Sequence, residues 1–536
     1  MSQDTQKPIP VTVREATVRL MRNLEMTTIF GNPGSTELAF LDDLPPDIRY
    51  VLALQEASAV GMADGYAQAT GRAAFVNVHC AAGLGNALGS IFTAFKNQTP
   101  LVITAGQQVR SMLPLDPYLG ATRPTEFPRP YVKWACEPAR AEDVPTAIEQ
   151  GYSVAMQHPR GPVFISIPCD DWIAMTVPVT PRKLVWEFGP DQELLSQLGE
   201  AINQSVLPAF VLGPAVDREG AYDLGVALAE RANAPVWESP VSSRGSFPET
   251  HRLFAGFLPA VPEKLSEILE QYDLIVVVGA PVFTFHVPGK CAVLTSGVPI
   301  YQITDDPLCA AQSAKATTVL GTMKPSLTAL IELIKPGART SQPAVRPHAP
   351  PVSGSSPIKI EFVMHTLAQV IPEEAVIVEE AASHRPAMQR YLPIRQSGGF
   401  YTMASGGLGY GLPAAVGVAL GQSRRVVCLM GDGGMMYSVQ ALWTAVQHKV
   451  PLTVIVLRNG GYGAMKSFAR QLKSKGPPPG VELPGLDFEA LAAGFGFKSV
   501  RAGQADILAE TLKRAFDEDG PILVEIAVDP DSGSIY

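Results

Sequence analysis

Short, nearly unbroken apolar runs alternate along this chain with longer stretches whose apolar residues recur at helical spacing. A brief continuous apolar run suits a strand buried on both faces, and strands alternating with helices build parallel α/β sheets. In the first part the pattern predicts strands at Thr27–Phe30, Tyr50–Leu54, Ala74–Val78, Leu101–Ala105 and Val163–Ile167. In the middle it predicts Ala209–Leu212, Leu274–Val278 and Ile300–Ile303. In the last part it predicts Ala375–Val378, Val426–Met430, Leu452–Leu457 and Ile522–Ile526. The expected fold class is α/β, with doubly wound parallel sheets and no short-period repeat.

The pattern breaks plainly once. Pro336 to Pro357 (PGARTSQPAVRPHAPPVSGSSP) has no apolar period and reads as an extended connector, placed at 337–356. A weaker break falls near Thr176–Pro190. These breaks give three domains, at 1–180, 188–336 and 357–536, which agrees with a 536-residue chain at roughly 150 residues per domain.

Composition narrows the class. With 46% hydrophobic and 17% charged residues the chain can bury large cores. A net charge of −9 argues against nucleic acid and anionic membranes as partners. The N-terminal MSQDTQKPIP lacks the basic and apolar parts of a signal peptide, and no apolar stretch is long enough to cross a bilayer, so a cytoplasmic location is expected. The six cysteines (Cys80, Cys136, Cys169, Cys291, Cys309 and Cys428) form no ligand-like cluster and read as reduced, mostly buried thiols.

Candidate chemistry is densest after Arg425. The strand Val426–Met430 runs into Gly431-Asp432-Gly433-Gly434, then a predicted helix through Tyr437–Lys449, then the strand Leu452–Leu457 ending in Arg458-Asn459-Gly460-Gly461. In one βαβ unit both strand ends lie on the same sheet edge, which brings Asp432 and Asn459 together. Both offer hard oxygen ligands suited to Mg²⁺ or Ca²⁺, and the glycines let backbone N–H groups approach an anion. A turn with an aspartate cap explains the first tetrapeptide alone; the matching Asn-Gly-Gly favours a metal-bridged diphosphate. In the first domain, Gln55-Glu56 opens the small-residue stretch ASAVGMADGYAQATG. A glutamate there is ordinarily a favourable first-turn charge.

These segments together resemble the thiamine-diphosphate-dependent enzymes, whose cofactor motif is GDG followed at a distance by Asn. The resemblance implies three domains, pyrimidine-binding, central and diphosphate-binding. It implies that Asp432, Asn459 and the Gly461 carbonyl hold the metal. It also implies that Glu56 activates the cofactor through the aminopyrimidine N1′, and that Leu408 enforces the cofactor's bent form. Ser383, Gly406, Gly433, Gly434, Tyr437, Tyr462, Gly463 and Ala464 would complete the cofactor site. Arg458 stands where the family usually has a first Asn. Because activation and anchoring lie on different domains, the implied partner is a second copy: a dimer at least, commonly a tetramer.

Within the family the chain is most similar to the 2-oxo acid decarboxylases of the benzoylformate type, in FGNPGSTELAFLDDLP, VNVHCAAGLGNALG, TAGQQVRSM, ASGGLGYGLPAAVGVAL and GGYGAMKSFA. That implies non-oxidative decarboxylation of an aromatic 2-oxo acid to an aldehyde and CO₂. Ser35 would bind the substrate carboxylate, and His79 and His286 would move protons. The substrate pocket would comprise Tyr118, Leu119, Thr402, Ala464 and Phe468, with Tyr118 and Thr402 departing from the family's aliphatic and aromatic residues. A carboligase or acetolactate-synthase-like activity is the alternative from the same residues. Gly213-Pro214 is no GxGxxG fingerprint, so no FAD is expected. A non-catalytic nucleotide-binding or regulatory subunit is the remaining reading, and it has no need of Glu56, both histidines and the metal ligands together.

Overall fold

The computed structural model describes residues 9–289, 294, 297–313, 315–336, 346 and 348–531. Most of the connector predicted at 337–356 and Cys291 lie outside the described residues or, at 348–356, form no helix or strand.

Three six-stranded sheets, each wholly parallel, form the framework. The N-terminal sheet runs Arg49–Leu52, Thr28–Asn32, Ala74–Val78, Leu101–Gln107, Val163–Pro168, Ala135–Cys136. The C-terminal sheet runs Phe400–Thr402, Val376–Glu380, Val426–Gly431, Leu452–Arg458, Ile522–Ala527, Lys498–Ala502, which is the same order counted along the chain, 2-1-3-4-6-5. The middle sheet differs: Phe254–Phe257, Val236–Glu238, Pro208–Leu212, Leu274–Val278, Ile300–Thr304, Ala316–Leu320, or 3-2-1-4-5-6. A short antiparallel pair, Val11–Thr12 with Met175–Thr176, ties together the two ends of the first unit.

Every strand predicted from an apolar run is present. Those the pattern missed lie at sheet edges or next to one, and most are short or half-exposed, so they lack a continuous apolar run. The predicted helix Tyr437–Lys449 is a correction. Helical structure starts at Asp432–Met435, is broken by turns, and resumes only over Ala441–Gln447. The apolar spacing of Leu442, Ala445 and Val446 reported only that second part. The cysteines need correcting too: among the described ones, Cys80 and Cys428 are buried while Cys136, Cys169 and Cys309 are half-buried, and all are free.

Two helices join the outer units. Glu56–Thr70 is capped by Gln55, whose side chain accepts from Ser58 N, and it ends at Gly71 in the left-handed region (φ +69°). Gly411–Gly421 is apolar on all sides, as a helix buried all round must be. Small residues let the two backbones nearly touch. A Cβ at Gly65 would stand 2.1 Å from Ala414 O, and one at Gly417 would stand 1.9 Å from Met62 O. Beside them a buried polar network reaches all three units. Arg244 donates to Asp217 (2.6 Å) and to Gln68 (3.0 Å), Gln68 donates to Tyr410 (3.0 Å), and Asp217 accepts from Ser397 (2.6 Å).

A methyl group at the helix crossing has nowhere to go, because backbone cannot rotate away as a side chain can. Gly65→Ala and Gly417→Ala should each lower stability by about 2–3 kcal/mol or more, the cost of overpacking a close-packed core. Gly494→Ala, whose Cβ would meet nothing within 4 Å, should be neutral or slightly stabilising by ~0.5–1 kcal/mol. Urea unfolding followed by circular dichroism compares the three; equal stabilities would refute this account of the crossing.

Candidate active site

The carboxyl edge of the C-terminal sheet collects one functional segment from each of its first four strands. Val376–Glu380 leads to Ser383, and Phe400–Thr402 to Gly406 and Leu408. Val426–Gly431 leads to Asp432, and Leu452–Arg458 to Asn459. Gly431 pairs with Leu457, so Asp432 and Asn459 leave neighbouring strands at nearly the same level. Loops at this edge, where the strand order reverses, are where doubly wound sheets bind ligands.

Asp432 is buried and its oxygens accept from Gly433 N (2.8 Å) and Gly460 N (2.7 Å). Burial raises its carboxyl above the ordinary range, and the backbone N–H groups only partly offset this. Among the described residues no Lys or Arg forms an ion pair with it. Asn459, also buried, accepts from Gly461 N at 3.2 Å. A buried carboxylate without a cationic side chain, next to an amide oxygen and a loop carbonyl at Gly461, is a donor set that fits a hard divalent cation. The glycines are required by space: a Cβ at Gly433 would lie 2.4 Å from the Tyr462 ring, and one at Gly461 2.2 Å from Val481 O. Arg458 turns away, its Nε 2.7 Å from Glu525.

Around this pole, Ala464 N donates to Ser383 Oγ (2.9 Å), which seats the helix Gly463–Gln471 against the segment after Glu380. Tyr437 is exposed and packs beside Gly409. Leu408 packs on the large core shared by the outer units. Glu380, which the sequence pattern does not single out, is buried and accepts from Gly409 N (2.9 Å) and Gly411 N (2.5 Å). It thereby fixes the turn that presents Leu408. Burial pushes its carboxyl up to about 7.

The N-terminal sheet uses the same edge. Gly34 and Ser35 come after its first strand, Glu56 after its second and His79 after its third. Glu56 is buried and accepts from Asn32 Nδ2 (3.2 Å) and Asn86 Nδ2 (3.0 Å). His79 precedes the helix Cys80–Asn97, and its Nδ1 lies 2.8 Å from Glu37 Oε2 and 3.1 Å from Thr36 Oγ1. Glu37 is itself buried and accepts from Gly34 N and Gly106 N, both at 2.9 Å. So one carboxylate fixes both the His79 ring and the loop carrying exposed Ser35. Glu37, Asn32 and Asn86 were also missed in the sequence. Glu37 sits within FGNPGSTELAF, where it looks like an ordinary first-turn acid.

The middle unit supplies His286, whose ring meets Phe468 edge-on at 5.0 Å. Thus His286, Phe468, Ala464 and Ser383 form one connected wall. The remaining pocket candidates are placed otherwise. Thr402 is buried with its hydroxyl donated to Glu379, so it offers no free hydroxyl to a cavity. Tyr118 is 86% exposed and Leu119 adopts φ +66°, both on a surface loop after Leu101–Gln107, so within one chain Tyr118 refills no pocket. Both of Glu56's hydrogen-bonding partners belong to its own sheet unit rather than to the Asp432 pole.

Comparison with known proteins agrees with this geometry. Models of the thiamine pyrophosphate enzyme family match in three parts: the N-terminal TPP binding domain over residues 11–123, the central domain over 195–330 and the C-terminal TPP binding domain over 380–526. A benzoylformate decarboxylase of Pseudomonas aeruginosa is 43% identical over 522 residues, covering 96% of this chain and 98% of that protein. The benzoylformate decarboxylase structure from Polynucleobacter necessarius superposes with a TM-score of 0.95 at 40% identity, covering 98% of this chain and 99% of that one. A Rhodococcus jostii thiamine-diphosphate-dependent 4-hydroxybenzoylformate decarboxylase gives a TM-score of 0.93 at 38% identity, covering 98% and 100%. With its three domains matched and its sheet edges bearing these residues, the chain belongs to the thiamine pyrophosphate enzyme family.

Proposed function

We propose that this enzyme decarboxylates an aromatic 2-oxo acid non-oxidatively, releasing the aldehyde and CO₂. The observation that carries the reading is the contact of His286 with Phe468, a proton-carrying ring on an aromatic wall, one helical turn along from the Ser383–Ala464 contact on the same helix. The relatives named for benzoylformate and 4-hydroxybenzoylformate support the aromatic class.

Thiamine diphosphate, when bound, supplies the electron sink into which the carboxylate's bonding pair is released. The chain's own residues do the rest. Asp432, Asn459 and the Gly461 carbonyl would hold Mg²⁺ or Ca²⁺ against the diphosphate. Glu56, braced by two amides, would share a proton with the aminopyrimidine ring. Ser35 would bind the substrate carboxylate, and the Glu37-held His79 would move a proton at the carbonyl oxygen. His286 would deliver the proton that replaces CO₂, which ends the reaction before a second carbonyl adds; this favours decarboxylase over carboligase. No flavin has a part in this chemistry.

The active unit we propose is a dimer or a dimer of dimers in the cytoplasm. Glu56 and Asp432 sit on different units, and apolar side chains beside both poles, Leu115 and Tyr118 on one and Tyr437 and Met465 on the other, stand exposed in the single chain. A second copy would cover them and complete the pocket with Tyr118 and Leu119.

Aldehyde release from a panel of 2-oxo acids should depend on thiamine diphosphate and a divalent cation, be abolished by a chelator, and be fastest with benzoylformate or a ring-substituted relative. Pyruvate or branched aliphatic acids turning over as fast would refute the aromatic assignment. Glu37→Gln should lower kcat roughly ten- to hundredfold, part of the ~10²–10⁴ that general acid–base catalysis supplies, with KM little changed, and Glu37→Asp should recover some of the loss. An unchanged kcat in Glu37→Gln would remove the carboxylate from the His79 account.

A further inference from the structure

Gly406 and Gly409, on either side of Leu408, take positive φ (+72° and +101°). Glycine does so at no steric cost, so this turn has little preference of its own and its shape has to be imposed from outside. Glu380 grips its far end through Gly409 N and Gly411 N. Its near end, Ala404 and Ser405, is gripped by the other outer unit.

The grip comes from the last turns of the helix Cys80–Asn97, which opens just after His79. At 18 residues this helix is about 27 Å long, so it carries His79 at one end and meets the Leu408 turn at the other. Asn97 is its last residue, and Gln98 closes it in the left-handed region (φ +54°). Asn97 Oδ1 accepts from Ala404 N at 2.9 Å. One turn earlier, Thr93 Oγ1 lies 2.8 Å from Ser405 Oγ, which itself accepts from Gly407 N at 3.0 Å. Thr93 donates its single proton to Gly89 O (3.1 Å), so Ser405 donates to Thr93 and keeps a lone pair for Gly407.

Asn97 holds Ala404 only while its amide faces the right way, and Asp64 dictates that. Asp64 lies in the helix Glu56–Thr70, is fully buried and, among the described residues, forms no ion pair. Its Oδ1 accepts from Thr99 Oγ1 (2.6 Å) and Gln68 Nε2 (2.8 Å), and its Oδ2 from Asn97 Nδ2 (2.9 Å). Burial pushes this carboxyl up to about 6 despite the three donors. An amide would be cheaper to bury, but it would turn one NH₂ group against another at Asn97. The carboxylate, which only accepts, draws the Asn97 nitrogen toward itself and leaves the oxygen for Ala404.

We propose that Asn97, oriented by Asp64 and seconded by Thr93, is the positioning residue that sets the turn of Gly406 and Leu408 against the ring portion of the cofactor, while Asp432 and Asn459 hold the diphosphate end independently. It rests on the reading of that turn and that pole as the cofactor site. Calorimetric titration of the cofactor-free enzyme in Mg²⁺, with thiamine diphosphate and with inorganic pyrophosphate, separates the two ends. Asn97→Asp sets two carboxylates against each other, and Asp64→Asn sets two NH₂ groups. Each should weaken thiamine diphosphate roughly tenfold, as expected for losing a hydrogen bond to a charged group, and leave pyrophosphate within about twofold of wild type. The double variant Asp64→Asn/Asn97→Asp exchanges amide and carboxylate, satisfies every donor again and should recover the affinity. Thr93→Val should weaken thiamine diphosphate to a smaller extent with pyrophosphate unchanged, and it decides the matter where a variant at 64 or 97 does not fold. Wild-type affinity in the single variants, a double variant no tighter than either single one, or pyrophosphate weakened in step with thiamine diphosphate each overturn the proposal. Wild-type enzyme that binds no thiamine diphosphate overturns the cofactor reading and the proposal with it, so the two failures are distinguishable.

Discussion

Backbone-to-backbone contact between Glu56–Thr70 and Gly411–Gly421 is the constraint on which the rest depends. One helix begins with Glu56, and the other begins three residues after Leu408. With no side chains at the crossing to act as cushions, the distance between the two outer units is set by main-chain sterics, which are far stiffer than side-chain packing. The buried ions beside it add register. Arg244 stacks over Tyr401 at 4.5 Å while pairing with Asp217 and Gln68, so the three units can be shifted only by leaving a charge unpaired.

The same sparing use of cations marks the site. Glu37, Glu56, Glu380 and Asp432 are all buried, yet each takes its hydrogen bonds from backbone N–H groups, amides, a hydroxyl or a histidine rather than from Lys or Arg. At Asp432 and Glu380 the backbone N–H groups only partly offset the effect of burial, which raises both carboxyls, Glu380 to about 7. Groups arranged this way can still bind a metal, share a proton with a heterocycle or orient an imidazole. An arginine partner would have removed that capacity.

Strand interiors were legible in the sequence because burial on both faces demands unbroken apolar runs; edges such as Ala316–Leu320 carry no such demand. Asp432, Asn459 and Glu56 were legible because each sits where a strand ends and small residues begin. Glu37 and Glu380 were not, since a carboxylate serving another residue shows no local pattern: its partners, His79 in one case and Gly409 and Gly411 in the other, lie far along the chain. Tyr118 and Thr402 were legible as departures in residue type, but their settings were not. Whether the Thr402 hydroxyl is free or already committed depends on Glu379, a neighbour across the sheet.

The two outer units share a strand order but not a chemistry, and the difference lies wholly in the loops that leave corresponding strands. After the third strand one carries His79 and the other Asp432; after the second, one carries Glu56 and the other the glycine-rich turn to Leu408. A parallel sheet fixes where its loops emerge without fixing their residues. One scaffold can therefore present a glutamate and a histidine at one edge and a buried aspartate among glycines at the other. The middle sheet is wound in a different order, and His286, beyond the end of its strand Leu274–Val278, carries that unit to Phe468.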